Sequence, residues 1–166
     1  MKLTRAERWI LSNQFEILAR LSGDMDYYHK MKEVIDCGYE LNYDWISDYV
    51  YDGDIVMSEA DCHEVIDTLA MFDSLQQSFE KLTDKTGIDP TSIKFEGYDG
   101  NNESKYGNYA QFLMERDGKF GEVLHREGFD SHFPMRSRYN QMRQRWDESQ
   151  NKPFLSKDDI LRIIAR

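Results

Sequence analysis

The chain has 166 residues, 40% of them apolar, with 31 acidic against 21 basic side chains and a formal net charge of −10. That is enough apolar material for one core, so a single domain over residues 1–166 is expected. So negative a surface disfavours nucleic acid and anionic lipid as partners. No apolar run approaches the length of a membrane span and no signal-like apolar region follows Met1. Cys37 and Cys62 form neither a CxxC pair nor a disulfide framework. These features imply a cytoplasmic protein without membrane contact.

In chain order, Thr4 with Glu7 is a capping box. It predicts a helix to about Leu21, closed by Gly23, with Ile10, Ile17, Leu18 and Leu21 as its core stripe. Gln14 falls within that stripe and Asn13 beside it. A buried amide needs partners, so the pair reads as a satisfied core amide or as a polar group at a pocket or subunit interface. Asp24 can cap a second helix to about Asp36, with Met25, Tyr28, Met31 and Ile35 inward and Cys37-Gly38 ending it. Residues 39–51 are aromatic and acidic (Tyr39, Tyr43, Trp45, Tyr49, Tyr51), with a short helix expected over 42–50. The acids Asp52 and Asp54 do not fit an EF-hand, because the positions that should hold Gly and Glu hold Met57 and His63.

The longest helix is predicted over 58–82. Ser58 and Asp61 form its capping box, and Val65, Ile66, Leu69, Phe72, Leu75, Phe79 and Leu82 form its stripe. The other helices are expected to pack around it, with different partners at its two ends as the stripe drifts. After a polar loop, residues 91–98 alternate like a strand. A lone strand lacks a partner within one protomer, so this run reads as extended chain packed on helices. Asp99-Gly100-Asn101-Asn102 is a turn into a helix over 103–115, with Gly107 marking a tight helix–helix approach. A loop over 125–133 precedes Pro134, a good first residue for a helix. Met135, Tyr139, Met142 and Trp146 form that helix's stripe, flanked by Arg136, Arg138, Arg143 and Arg145. The arginines read as a rim that pairs with acidic neighbours, or else as an anion site. Ser156 caps a last helix carrying Ile160, Ile163 and Ile164. The fold class is therefore all-α: a multihelical single domain around one long central helix, with at most one short extended segment.

Several stretches together resemble the YfbU family of bacterial proteins. They are Arg8-Trp9-Ile10-Leu11-Ser12-Asn13-Gln14-Phe15, Val34-Ile35-Asp36-Cys37-Gly38-Tyr39 and Glu64-Val65-Ile66-Asp67-Thr68-Leu69-Ala70-Met71-Phe72. Further along come Phe95-Glu96-Gly97-Tyr98-Asp99-Gly100-Asn101-Asn102-Glu103, Pro134-Met135-Arg136-Ser137-Arg138-Tyr139-Asn140-Gln141-Met142 and Leu155-Ser156-Lys157-Asp158-Asp159-Ile160. The resemblance covers nearly the whole chain. It implies a mostly helical, cytoplasmic, self-associating protein, and it brings no activity and no catalytic motif.

The chemistry-bearing residues are sparse. His29, His63, His125 and His132 include no His-x3-His, and Cys62-His63 lacks two further ligands, so no metal and no cofactor are expected. Arg126 and His132 have the Arg-x4–6-His spacing of HEPN-type ribonucleases, which arises about once by chance in a chain with this many arginines. Three readings follow. The favoured one is a non-enzymatic homo-oligomer, motivated by aromatic and Met content and by the unpartnered run 93–98. The second is an enzyme acting on phosphodiesters or nucleotides through Arg126, His132, Arg136 and Arg143. The third is a small-ligand module around Asn13, Gln14, Asp99, Asn101, Asn102 and Glu103.

Overall fold

A computed structural model describes residues 1–48, 50, 53 and 56–165. The described chain is helical, without a sheet, and divides into two compact units, Met1–Val56 and Met57–Arg166.

The first unit is a helical hairpin. Helix α1 spans Arg5–Leu21 and α2 spans Met25–Cys37. The Thr4 hydroxyl accepts from the Glu7 amide, and the Glu7 carboxylate accepts from the Thr4 amide at 2.7 Å, completing the predicted capping box. Asp24 caps α2 by accepting from the Tyr27 amide, and Gly38, at φ +70°, ends it in the left-handed conformation that glycine adopts at low cost. The end of α1 differs from expectation. Ser22, in extended conformation, is its C-cap, so Gly23 supplies no left-handed stop. The 42–50 helix is shorter than predicted: a 3-10 turn over Glu40–Asn42 leads into α3, Asp44–Ser47. Tyr49, Tyr51, Asp52 and Asp54 lie outside the described residues.

The main correction in this unit concerns α1. Its buried residues are Ser12, Phe15 and Ala19, and Phe15 packs with Met31, Val34, Ile35 and Tyr43. The predicted core stripe faces out. Ile10 is 53% exposed, Ile17 54% and Leu21 80%, with Trp9 beside them at 70%. Gln14 and Asn13 are exposed as well, so Gln14 is no core amide. On a helical wheel the two faces lie about 160° apart, nearly opposite. Ser12 and Ala19 are buried on the same face as Phe15, so the contact with α2 consumes the less apolar face of the helix.

In the second unit, α4 spans Glu59–Lys81, 23 residues or about 34 Å, and is the element around which the rest is built. Ser58 and Asp61 form its capping box. Helices α5 (Ser104–Gln111), α6 (Arg136–Asp147) and α7 (Lys157–Ile164) pack on it. Its N-terminal half meets α5 and the start of α6 through Asp61 and Glu64. Its C-terminal half meets the end of α6 and the following linker: Ser74 bonds Lys152 and Trp146, and the Ser78 hydroxyl accepts from the Leu155 amide. Different partners therefore cover the two ends, as the drifting stripe requires.

The 91–98 run was expected to lack an internal partner, and it has one. Pro90–Ile93 forms a 3-10 turn, after which Phe95 and Tyr98 make parallel bridges to His125 and Asp130. Phe95 donates to the Leu124 carbonyl at 3.0 Å and accepts from Arg126 at 2.8 Å; Tyr98 donates to Phe129 at 3.0 Å and accepts from Ser131 at 3.1 Å. Gly97 is required between them. It sits at φ +89°, and a Cβ there would lie 2.1 Å from the Phe129 carbonyl oxygen. Gly107 meets this same turn rather than a helix, at an ordinary 3.6 Å from the Phe129 oxygen. Phe95, Tyr98 and Tyr139 fill the centre of the unit, their rings 5.5–5.6 Å apart. The helix predicted to Glu115 loosens after Gln111 into a π turn over Phe112–Arg116.

Candidate functional site

The two bridged segments come together over the middle of α4 because one buried amide holds both. Gln76 donates through Nε2 to the Ile93 carbonyl at 2.9 Å and to the Leu124 carbonyl at 3.0 Å. Its Oε1 accepts from the Leu124 amide at 2.7 Å. The residues flanking these anchors, Lys94 and Arg126, are thereby brought to one place. Tyr139 on α6 closes the third side, donating to the Gly97 carbonyl at 3.0 Å and accepting from the Glu96 amide at 3.2 Å. Burial raises the Tyr139 phenol well above its ordinary pKa, so it serves as a neutral hydrogen-bonding strut.

Between these segments and α6 lies a cleft of about 310 Å³. Its floor is Phe72, Met135, Tyr139 and Met142, and Phe133 stands at its rim, 72% exposed. Lys94, Arg126 and Arg138 line its walls, with the carboxylates of Asp89 and Glu96 and the hydroxyls of Ser92 and Ser131. All three cations are half-buried. Among the described residues none of the three has a carboxylate oxygen within 4.0 Å. Among the described residues the Arg126 side chain makes one hydrogen bond, a long 3.5 Å contact to the Ser131 carbonyl.

The predicted anion residues do not all meet here. The cleft takes Arg126. His132, at φ +60°, is exposed and places Nδ1 2.9 Å from the Asp130 carboxylate. The Arg126-to-His132 interval is loop and a short 3-10 turn, broken by Gly128 at φ +78°, so the pair does not share a helix. Arg136 and Arg143 face α4 instead. Arg136 grips Glu64 with two bonds, 2.9 and 2.8 Å, and lies 3.9 Å over the Tyr106 ring. Arg143 bonds Asn140 and approaches Asp67 at 3.8 Å. These two fit the rim reading, whereas Arg138, on the cleft side of the same helix, has no carboxylate within ion-pair distance among the described residues.

The predicted polar site also divides. Asn13 and Gln14 belong to α1 in the first unit. Asp99, Asn101, Asn102 and Glu103 gather in the second unit, as structural supports. Asp99 accepts from the Asn102 side chain at 2.5 Å and the Asn101 amide at 3.0 Å, which hold its carboxyl below the usual carboxylate range. The buried Glu103 carboxylate accepts from the amides of Met135 at 2.8 Å and Arg136 at 3.1 Å. It thus caps α6 from 33 residues away, where the helix start has no side-chain cap of its own.

Sequence reasoning passed over Lys94, Glu96 and Gln76. For Gln76 a signal existed, since it is an amide set in the apolar stripe of Phe72, Leu75 and Phe79. For Lys94 none did, because only the pairing of distant segments brings it to Arg126 and Arg138.

Comparison with known proteins is consistent from end to end. The YfbU domain family matches residues 1–165. A UPF0304 protein of Mannheimia succiniciproducens is 31% identical over 166 residues, covering 99% of each chain. One from Pasteurella multocida is 32% identical over 166 residues, again covering 99% of each, and one from Methanocaldococcus jannaschii is 32% identical over 169 residues, covering 98% of each. The names of these relatives carry no activity. With the helical fold, the capped long helix and this full-length match, the chain belongs to the YfbU family.

Proposed function

We propose that the protein is a non-enzymatic, cytoplasmic homo-oligomer and that α1 is its self-association surface. The observation that carries this reading is that α1 has two opposed faces and the more apolar one is left uncovered by the rest of its own unit. Trp9, Ile10, Ile17, Leu18 and Leu21 leave on the order of 600 Å² open, near the 800 Å² that each partner buries in a standard interface. Ile10, Gln14, Ile17 and Leu21 recur at steps of four, three and four, the spacing of a coiled-coil seam. A second copy suits this seam, because a two-fold axis passing at Gln14 pairs each amide with its twin, and an unrelated apolar surface would leave that amide unbonded. The unpartnered run 93–98 no longer supports the reading, since it pairs within the second unit.

Sedimentation at micromolar concentration is the test. The expected species is a multiple of 19.7 kDa that falls to a monomer in Ile17→Asp. A wild-type chain that sediments as a 19.7 kDa monomer refutes it.

A further inference from the structure

We infer that the cleft between α6 and the bridged segments binds a small organic phosphate monoester, a site separate from self-association through α1. Several other cations of the second unit are matched at short range, Lys105 to Asp61 at 2.9 Å, Arg136 to Glu64 at 2.8 Å, Lys157 to Asp84 at 2.6 Å and Arg162 to Asp159 at 3.3 Å, and the half-buried Arg145 is held by the carbonyls of Ile163 and Ala165. With 31 acidic residues in the chain, acids are not scarce. Yet Lys94, Arg126 and Arg138 are half-buried around one cavity without such a match among the described residues. Partly desolvated guanidinium groups with no carboxylate in contact are costly, and two of them flanking one cavity suit the oxygens of a phosphate better than a point charge would.

The remaining walls select the body of the ligand. A volume of about 310 Å³ is at the small end of ligand pockets. The sulfur and aromatic floor of Phe72, Met135, Tyr139 and Met142 and the exposed ring of Phe133 at the rim offer apolar surface to an organic group. The Glu96 carboxylate is an acceptor for a hydroxyl or amine on that group and would repel a bare anion. Lys94 and Arg126 are set by the grip of Gln76 on Ile93 and Leu124, so the two cations are positioned before any ligand arrives.

The test is isothermal titration of the full chain at low salt with inorganic phosphate, ribose 5-phosphate, adenosine monophosphate and adenosine. Both phosphate esters are expected to bind with Kd below about 1 mM, and adenosine is not. Arg126→Gln and Arg138→Gln should each weaken binding at least tenfold while leaving the far-UV circular dichroism and thermal midpoint in place, since the one side-chain bond lost among the described residues is the long 3.5 Å contact of Arg126 to the Ser131 carbonyl. Phe133→Ala should weaken the adenosine ester more than the ribose ester. Arg116→Gln, at an exposed cation outside the cleft, should change nothing. Three outcomes overturn the proposal: no ester binds; inorganic phosphate binds as tightly as the esters and is lost in 0.15 M salt, marking an adventitious ion only; or ester affinity is unchanged in both arginine variants. Because the readout is ligand affinity rather than mass, failure here leaves the self-association reading standing, and the converse holds.

Discussion

Replacing Gln76 by Leu tests the account of how the second unit is joined. The side chain is buried and makes three hydrogen bonds, all to backbone groups of two segments that are remote in sequence. Leucine is similar in volume, so little cavity or strain arises, and the cost falls on the Ile93 carbonyl and the Leu124 amide, because the Leu124 carbonyl keeps the Phe95 amide as a donor. Each backbone group left without a partner costs about 1–3 kcal/mol when buried. Leu124 is itself exposed, so its groups can be partly rehydrated. The sum is then about 3 kcal/mol, a large part of the 5–15 kcal/mol that holds a typical domain together. Urea denaturation followed by far-UV circular dichroism measures it, with Gln77→Leu as the control. Gln77 is exposed and bonds only Asp73, so its loss should cost less than about 0.5 kcal/mol. Gln76→Glu adds a signature in pH. A carboxylate there would face two carbonyl oxygens, and protonation restores a donor, so its deficit should shrink as pH falls. If Gln76→Leu unfolds within 0.5 kcal/mol of wild type, the amide does not hold the segments and the reasoning fails.

Further predictions concern single groups. Tyr139→Phe strands the Glu96 amide and the Gly97 carbonyl and should cost about 2 kcal/mol in urea melts, whereas Tyr98→Phe removes a buried hydroxyl without a partner among the described residues and should be neutral or stabilising. Equal losses in the two would contradict the assignment. Gly97→Ala must accommodate φ +89° and a contact at 2.1 Å, so a loss of about 3 kcal/mol or failure to fold is expected; a stable variant with an unchanged circular dichroism spectrum would count against the geometry. The Asp61 carboxyl is held well below the usual carboxylate range, first by the Tyr106 hydroxyl and then by Lys105. Its folded pKa lies below the unfolded value near 3.9, so its contribution is complete above about pH 4 and is lost as pH falls below that. Asp61→Asn should therefore show a flatter acid limb in thermal melts between about pH 4 and 2, and identical acid limbs would exclude this role.

What could be read from the sequence depended on how local its cause was. The capping boxes at Thr4, Ser58 and Ser156 are satisfied within three residues, and all three helices begin where expected. The stripe of α4 was legible because the helix is covered along its length. On α1 the same periodicity found a real apolar face, but periodicity does not say which body covers it; α2 packs instead on the face that buries Ser12, Phe15 and Ala19. The strand-like run at 93–98 was visible, while its partner at 124–131 lacks alternation and is held by Gln76, so the pairing left no local trace. The cleft was the least legible part. Lys94, Arg126 and Arg138 are separated by whole turns and helices, and the arginine stripe of α6 looked uniform until its two flanks were seen to face different surroundings.

The long-range cap on α6 couples the timing of motions. Among the described residues the first turn of that helix holds its amides at Met135 and Arg136 through Glu103, and Glu103 is placed by the turn that Asp99 closes. Neither piece can open alone, so amide hydrogen exchange at Met135 and Arg136 should follow the opening of residues 99–103 rather than ordinary fraying of a helix end. The wall of the cleft that carries Arg138 would then breathe in step with a turn on another segment of the chain.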